Sequence, residues 1–493
     1  LTQSQLNLPL DDFSTRPITS IPRARRIFCD RNLRMTGIAW VGFDMDYTLA
    51  IYDQPEMDRL SIAATQKKLV WRGYPEFVAT VPVSIDFPVR GLLIDKRLGH
   101  VLKMDRYKVA EKGYHGTRKL AKDELRELYQ SKKLRPATPR YHWIDTLYAL
   151  SEVALYAALV DAFESRGMAI DYGKLFSDIR ESIDEAHRDG TILDAVLGDL
   201  PRFIRKDPDL AITLHKLRSA GKKLFLLTNS RWPYTDKMMS YLLGGSMVEY
   251  PSWRNFFDIV VCAATKPAFF TERRPLLERS LDNGGESKPA TFPLERGRVY
   301  EGGNLQELER ALAVSGDEVL YVGDHIYGDI LRSKKDSAWR TAMIIQELET
   351  EVAAYEGCKE DIARTVELED IRDRLEDELR FYQARFKELS NKKNGNGSAA
   401  AAEAERMRIK RQVDRVRGLL RQAEAEQTSL EARVDQRFHA YWGSLLKEGN
   451  EQSSFGAQVE EYADVYTSRV SNFVFYSPQQ HFRSPRDVMA HEM

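Results

Sequence analysis

The sequence predicts an α/β protein: a parallel sheet with helices on both faces, an inserted and mostly helical cap, and an appended α-helical hairpin. Three observations carry this reading. From about residue 209 onward, short apolar runs alternate with helical patterns, which implies βαβ units and a parallel sheet. The polar residues of chemical interest fall directly after those runs, at the strand ends where open α/β sheets place ligands. Residues 366–436 carry two long apolar stripes at helical spacing, separated by a segment rich in Gly, Asn, Ser and Ala.

Composition narrows the function classes. A chain of 493 residues exceeds one small domain and suits a large core with an insertion. Its 43% hydrophobic content excludes disorder throughout. With 73 Lys+Arg against 74 Asp+Glu, a broad nucleic-acid-binding surface is not expected. Cys29, Cys262 and Cys358 lie far apart, without CxxC or metal-ligand spacing, so a reducing compartment is expected rather than a disulfide framework. No apolar run approaches the roughly 18–20 residues that span a bilayer, and no basic-then-apolar signal pattern opens the sequence. A cytoplasmic location without a membrane partner follows as the expectation.

Taken in order, residues 1–36 read as an arm across the core. Ile38–Phe43 is a buried strand ending in Asp44-Met45-Asp46-Tyr47-Thr48. Residues 81–115 hold β-rich pieces at Gly91–Ile94 and His100–Met104. The spacing predicts a helix over 143–166 that stops before Gly167, a C-cap candidate, and another over 173–188. A helix at Asp209–Ser219 ends at Ala220-Gly221 and leads to strand Leu224–Leu227 and the loop Thr228-Asn229-Ser230. Strand Ile259–Cys262 precedes Lys266-Pro267, and strand Val319–Val322 runs into Gly323-Asp324. The stripe Leu368, Ile371, Leu375, Leu379, Tyr382, Phe386, Leu389 and its partner Ile409, Val413, Val416, Leu420, Ala423 read as a packing seam, with the turn at Asn391–Ala402. The expected organisation is an arm and first core part (1–115), a cap (116–200), a second core part (201–365), the hairpin (366–436), and a C-terminal segment packing on the core (437–493).

Asp44 and Asp46 stand two apart at a strand end, so an extended chain points both carboxylates the same way. One can attack while the other handles the proton. Taken alone, such a string also fits a solvated turn. Thr228 and Asn229 offer a hydroxyl and amide donors for phosphate oxygens, and Lys266 offers a point charge for a transferring phosphoryl group. Asp324 and Asp329 are hard oxygen ligands of the kind Mg²⁺ prefers. Each has an ordinary reading: a helix cap for Thr228, a surface charge for Lys266, turn residues for the aspartates. Four such loops in order, each after a strand, form the joint signal.

These loops resemble the four motifs of the haloacid dehalogenase-like (HAD) phosphohydrolase superfamily. Within it, Phe43–Ala50, Thr228-Asn229-Ser230 with Tyr234–Lys237, Lys266-Pro267 with Phe269-Phe270, and Gly323–Leu331 resemble the cytosolic purine 5′-nucleotidase family of IMP/GMP preference. The resemblance covers nearly the whole chain, the hairpin being least alike. It implies an aspartyl-phosphate formed on Asp44, with Asp46 as acid and then base, and catalytic roles for Thr228 and Lys266. It implies Mg²⁺ held by Asp44, the Asp46 carbonyl and Asp324, with Asp329 nearby. Asn229 and Ser230 are implied substrate contacts. The substrate would be a purine nucleoside 5′-monophosphate, with phosphotransfer to another nucleoside as a second outcome, and a homo-oligomer is expected.

Arg180, Asp184 and His187 share one helical face. By themselves they read as a surface ion pair with a nearby histidine; the resemblance makes them purine contacts, with Tyr148 stacking on the base. Leu193 departs from the family, which carries a lysine there. Asp145 and Glu461, beside Tyr462, stand where relatives have an asparagine and an arginine that help bind an activating nucleotide, so weak activation is expected. A HAD phosphatase for another ester, or a non-catalytic interaction protein using the hairpin, remain the other function classes.

Overall fold

The computed structural model describes residues 21–130, 134–281, 286–391, 399–486, 489 and 492. Part of the expected hairpin turn and the first 20 residues of the arm lie outside these. At the centre is a ten-stranded sheet. Its parallel strands, in chain order, are β1 (Trp40–Phe43), β2 (Lys223–Leu227), β3 (Ile259–Cys262), β4 (Val299–Gly302), β5 (Val319–Gly323), β6 (Arg340–Ile344) and β7 (Val465–Thr467). In space they run β7-β6-β5-β1-β2-β3-β4. Antiparallel pieces close both edges: Phe28–Cys29 beside β7, and Leu276–Arg279 with Ser287–Pro289 beyond β4.

The chain leaves β1 for β2, β3 and β4 on one side, then builds β5, β6 and β7 on the other. The sheet's switch point therefore lies beside β1, the place where such sheets open a crevice for ligands. Alternation along each strand feeds two separate cores. Val41, Phe43, Leu224, Leu226, Leu320 and Val322 join one apolar cluster, while Trp40, Phe225, Tyr321 and Trp339 join another on the opposite face. A sheet covered on both faces explains the near-continuous apolar strands. Gly42 has a specific reason to be glycine: a Cβ there would stand 2.0 Å from the Phe225 ring.

Between β1 and β2 the chain builds a large insertion. Helix α1 (Gln54–Trp71) starts at Asp53, whose carboxylate accepts from the Glu56 N–H. A five-stranded antiparallel sheet follows, ordered Arg118–Lys119, Ala110–His115, His100–Met104, Leu92–Asp95, Tyr141–Ile144. It runs across the expected boundary at residue 115. Then come α2 (Leu150–Glu164), α3 (Tyr172–Arg188) and α4 (Thr191–Gly198). The helix expected over 143–166 is shorter, because Tyr141–Ile144 pairs with Leu92–Asp95 as an edge strand. Trp143, Ile144, Leu147 and Leu150 satisfy a helical period, and only tertiary pairing decides against it. Gly167 takes φ +66 just past the helix end, as a C′ glycine does.

The hairpin consists of α5 (Lys359–Asn391) and α6 (Ala399–Phe438). Cross-links at Asp361–Arg433, Arg364–Glu426 and Arg385–Glu405 fall in reversed sequence order, so the helices are antiparallel. Leu368, Ala423 and Leu430 pack together, and Val413, Val416 and Leu420 are buried, whereas Ile371 stays 37% exposed. The C-terminal segment is more than a cover. Trp442 is fully buried and donates Nε1–H to the Phe87 carbonyl, and β7 completes the main sheet.

Candidate active site

The loops that follow β1, β2, β3 and β5 meet at the C-terminal end of the sheet. The Asp44 N–H donates to the Val322 carbonyl, and the Thr228 N–H to the Val261 carbonyl, so neighbouring strand ends fix one another. Tyr47, Ala263 and Thr265 adopt left-handed backbone with φ of 57, 48 and 59. Such conformations are uncommon for non-glycine residues and cluster at functional loops. Here they bend the chain right after β1 and right before Lys266.

Lys266 is the hub. Its ammonium donates to Asp329 Oδ1 at 2.6 Å and to the Tyr321 hydroxyl at 2.9 Å, and it lies 2.9 Å from Asp44 Oδ1. Its backbone is clamped by Asn229, which accepts from the Lys266 N–H at 2.5 Å and donates to the Lys266 carbonyl at 3.0 Å. The Asn229 side chain therefore positions the lysine loop. Thr228 is fully buried and its hydroxyl accepts from the Ser230 N–H at 3.1 Å. Ser230 Oγ in turn donates to Asp46 Oδ2 at 2.6 Å, and the Tyr52 hydroxyl donates to Asp46 Oδ1 at 2.5 Å.

The charge balance of this end is lopsided. Carboxylate oxygens of Asp44, Asp324 and Asp329 all lie within 4.8 Å of one another, and all three residues are buried. Burial pushes the Asp44 carboxyl well above its ordinary value; Lys266 opposes this, and the neighbouring aspartates add to it. Burial, followed by Asp329, pushes Asp324 up to about 7. For Asp46, burial also raises the value, while Ser230 and Tyr52 work against it by hydrogen bonding. Burial opposes the Lys266 charge, yet Asp329 and Asp44 hold that ammonium well above its ordinary range. Lys266 thus faces Asp44 and Asp329 directly, while Arg90 is the buried cation nearest Asp324. This all-oxygen donor set is the kind that fits a hard divalent cation such as Mg²⁺. The Asp46 side chain is outside the cluster, engaged by Ser230 and Tyr52, so only its backbone carbonyl is in keeping with a ligand role.

The proposed base contacts divide. Tyr148 meets Tyr47 edge-on at 4.7 Å between ring centroids, and His187 meets Tyr148 at 5.7 Å. Tyr148 therefore sits beside the Asp44–Thr48 loop, with His187 against its ring. Tyr148 remains 37% exposed, enough to offer ring surface. Arg180 instead turns to Glu152 on α2, with Nε 3.3 Å from its carboxylate, and Asp184 is exposed. Leu193 packs partly buried against the main core cluster. Asp145 is not a free carboxylate: its Oδ2 lies 3.3 Å from His325 Nε2, next to Asp324. Lys335 lies over the Tyr462 ring at 5.5 Å, next to Glu461.

Four residues of this neighbourhood escape motif reading. Tyr52 and Tyr321 contact Asp46 and Lys266 directly. Arg90, 1% exposed, donates to the Asp324 carbonyl and grips Glu347 through two bonds of 2.7 and 2.6 Å. Tyr321 had a weak signal, a phenol inside an otherwise apolar strand. The others have none, since their roles depend on which loops meet.

With this strand order, this switch point and these strand-end loops, the protein is a phosphoric monoester hydrolase of parallel α/β fold. The model of the 5′-nucleotidase family matches residues 27–493, and the chain belongs to that family. A 5′-nucleotidase domain-containing protein of Dictyostelium discoideum is 26% identical, over 99% of this chain and 80% of that protein. Human 5′-nucleotidase domain-containing protein 2 is 29% identical, over 70% of this chain and 68% of that one. Among solved structures, a HAD phosphatase from Thermococcus onnurineus is similar at 15% identity and TM-score 0.25, covering 63% of this chain and 87% of that one. L-2-haloacid dehalogenase from Xanthobacter autotrophicus is similar at 16% identity and TM-score 0.22, covering 63% and 78%. Among the described residues no helix is long and apolar enough to cross a membrane.

Proposed function

We propose that this protein is a Mg²⁺-dependent 5′-nucleotidase that hydrolyses purine nucleoside 5′-monophosphates of the IMP/GMP type through an aspartyl-phosphate. The single observation that supports it best is the Asp44–Lys266–Asp329 contact at the switch point, with Asp46 held on a separate pair of hydroxyls. Asp44 attacks phosphorus, and Asp46 gives its proton to the departing 5′-oxygen as the phosphorus–oxygen bond breaks. Asp46 then takes a proton from the water that cleaves the aspartyl-phosphate. Lys266 neutralises the phosphoryl oxygens, and Thr228 and Ser230 offer hydroxyls to them. Asp44, Asp324 and the Asp46 carbonyl would hold Mg²⁺, with Asp329 supporting; the ion would supply charge that lets a phosphate approach these carboxylates.

Tyr148 and His187 bound the side where the nucleoside leaves the loop, which favours base contact there. Arg180, held by Glu152, and exposed Asp184 complete the base-reading set in this reading. A second nucleoside can take the phosphoryl group in place of water. The reading includes a cytoplasmic homo-oligomer without strong activation by nucleotide effectors. A panel of nucleoside monophosphates and sugar phosphates, assayed with and without Mg²⁺, tests it. IMP and GMP should outpace CMP and UMP, and activity should vanish with chelator. Preference for a sugar phosphate would replace this substrate class with another ester.

A further inference from the structure

Asp46 must act on the leaving oxygen, yet both of its own oxygens are engaged. Ser230 Oγ holds Oδ2 at 2.6 Å and the Tyr52 hydroxyl holds Oδ1 at 2.5 Å. The two holders differ in kind. Ser230 sits in the loop after β2, beside Thr228 and Lys266, where a phosphate is expected. Tyr52 is 3% exposed and its ring stacks on Tyr47 at 4.6 Å. Its hydroxyl is also 2.8 Å from that of Tyr234, a residue 7% exposed on helix Trp232–Leu243.

A phenol has one proton. When Asp46 is ionised, Tyr52 donates to it, so the Tyr234 hydroxyl must be the donor in the tyrosine pair. When Asp46 carries its proton on Oδ2, Oδ1 remains an acceptor and Tyr52 donates to it as before. The pair thus keeps its grip on Oδ1 in either state.

We infer that Tyr52, backed by Tyr234, is a positioning residue that anchors Asp46 Oδ1 and reserves Oδ2 for the leaving oxygen, with the incoming phosphate taking over the Ser230 hydroxyl. The inference rests on the proposed acid role of Asp46, and extends it to Tyr52, outside the four motifs, and to Tyr234 behind it. As the phosphorus–oxygen bond breaks, the proton on Oδ2 passes to the departing oxygen, and the Oδ1 anchor fixes the direction of transfer. A carboxylate free to swing loses that alignment, and misplacement by about 1 Å can cost on the order of 10²-fold.

The test compares leaving groups. An alkoxide needs the proton, whereas p-nitrophenolate departs without it. kcat/KM counts only steps up to departure, so the later hydrolysis of the aspartyl-phosphate does not enter. Tyr52→Phe should lower kcat/KM for the best alkyl phosphate by about 10- to 100-fold, mostly in kcat, and for p-nitrophenyl phosphate by less than about 3-fold. Tyr234→Phe, which leaves the Tyr52 hydroxyl in place, should show the same selectivity at a smaller size. An equal loss on both esters in both variants, or no loss on either, overturns the inference. The alkyl ester is whichever one the wild-type protein prefers, so a wrong nucleotide assignment shows in the wild-type panel and leaves this comparison intact.

Discussion

The strand-end site and the hairpin are both crowded with charge and use it in opposite ways. At the site, Lys266 and its partners Asp44 and Asp329 are almost wholly out of water, with side-chain exposures of 3%, 12% and 2%. On the hairpin, Arg364–Glu426 and Arg385–Glu405 bridge α5 and α6 at exposures of 42–48%. Buried charges are screened far less than exposed ones, so removing one member strands the rest; exposed pairs are replaced by water at little cost. The difference teaches where charge is kept for chemistry. The hairpin's own stability comes from its Leu368–Ala423–Leu430 seam, with the ion pairs as register marks.

The sharpest way to break this contrast is at Asp44. Asp44→Asn keeps the shape and removes the proposed nucleophile, so turnover should fall by at least about 10⁴-fold while circular dichroism and melting stay native-like. Near-normal phosphate release by this variant would place the chemistry elsewhere. Lys266→Met comes next. It leaves Asp44 and Asp329 facing each other without their cation, and urea unfolding at pH 8 should show a loss of about 3–5 kcal/mol. A loss below about 1 kcal/mol would mean that the carboxylates find another partner.

A third test concerns Asp58, 5% exposed on α1 and bonded to Gln54. Burial pushes its carboxyl up to about 7, with the Gln54 bond opposing. The folded value lies above the unfolded one, so its favourable share of stability is complete below about pH 4 and is lost as pH rises through 7. Asp58→Asn should therefore be more stable than wild type at pH 8.5, by about 1–3 kcal/mol, with that advantage shrinking as pH falls and gone below about pH 4. A pH-independent difference would refute the assignment. The smallest effect belongs to the hairpin: Arg364→Ala should change stability by less than about 0.5 kcal/mol, with most of that gone in 0.5 M salt.

How much of this was legible beforehand depends on the range of the interactions involved. β3 is read at its observed ends, and β2 and β5 within one residue, because each is an apolar run stopped by its own loop. β4, β6 and β7 were missed. β6 opens Arg340-Thr341 and β7 is only Val465–Thr467, so neither carries a period long enough to read. Trp143 and Ile144, the end of the edge strand Tyr141–Ile144, fall inside the helix expected over 143–166 for the complementary reason, a spacing that suits both periods until a partner strand is present.

By itself, then, the sequence determined the parallel α/β core, the four strand-end loops with Asp44, Asp46, Thr228, Lys266, Asp324 and Asp329, and the antiparallel hairpin. All of these are local: a run of side chains, a loop directly after it, or a stripe along one helix. Tertiary structure alone decided that Asn229 clamps the lysine loop, that Arg180 turns to Glu152 and Asp145 to His325, and that Tyr52 reaches Asp46 with Tyr234 behind it. Those contacts join residues from separate loops and helices, and no spacing along the chain encodes a contact that exists only once strand ends and cap helices have come together.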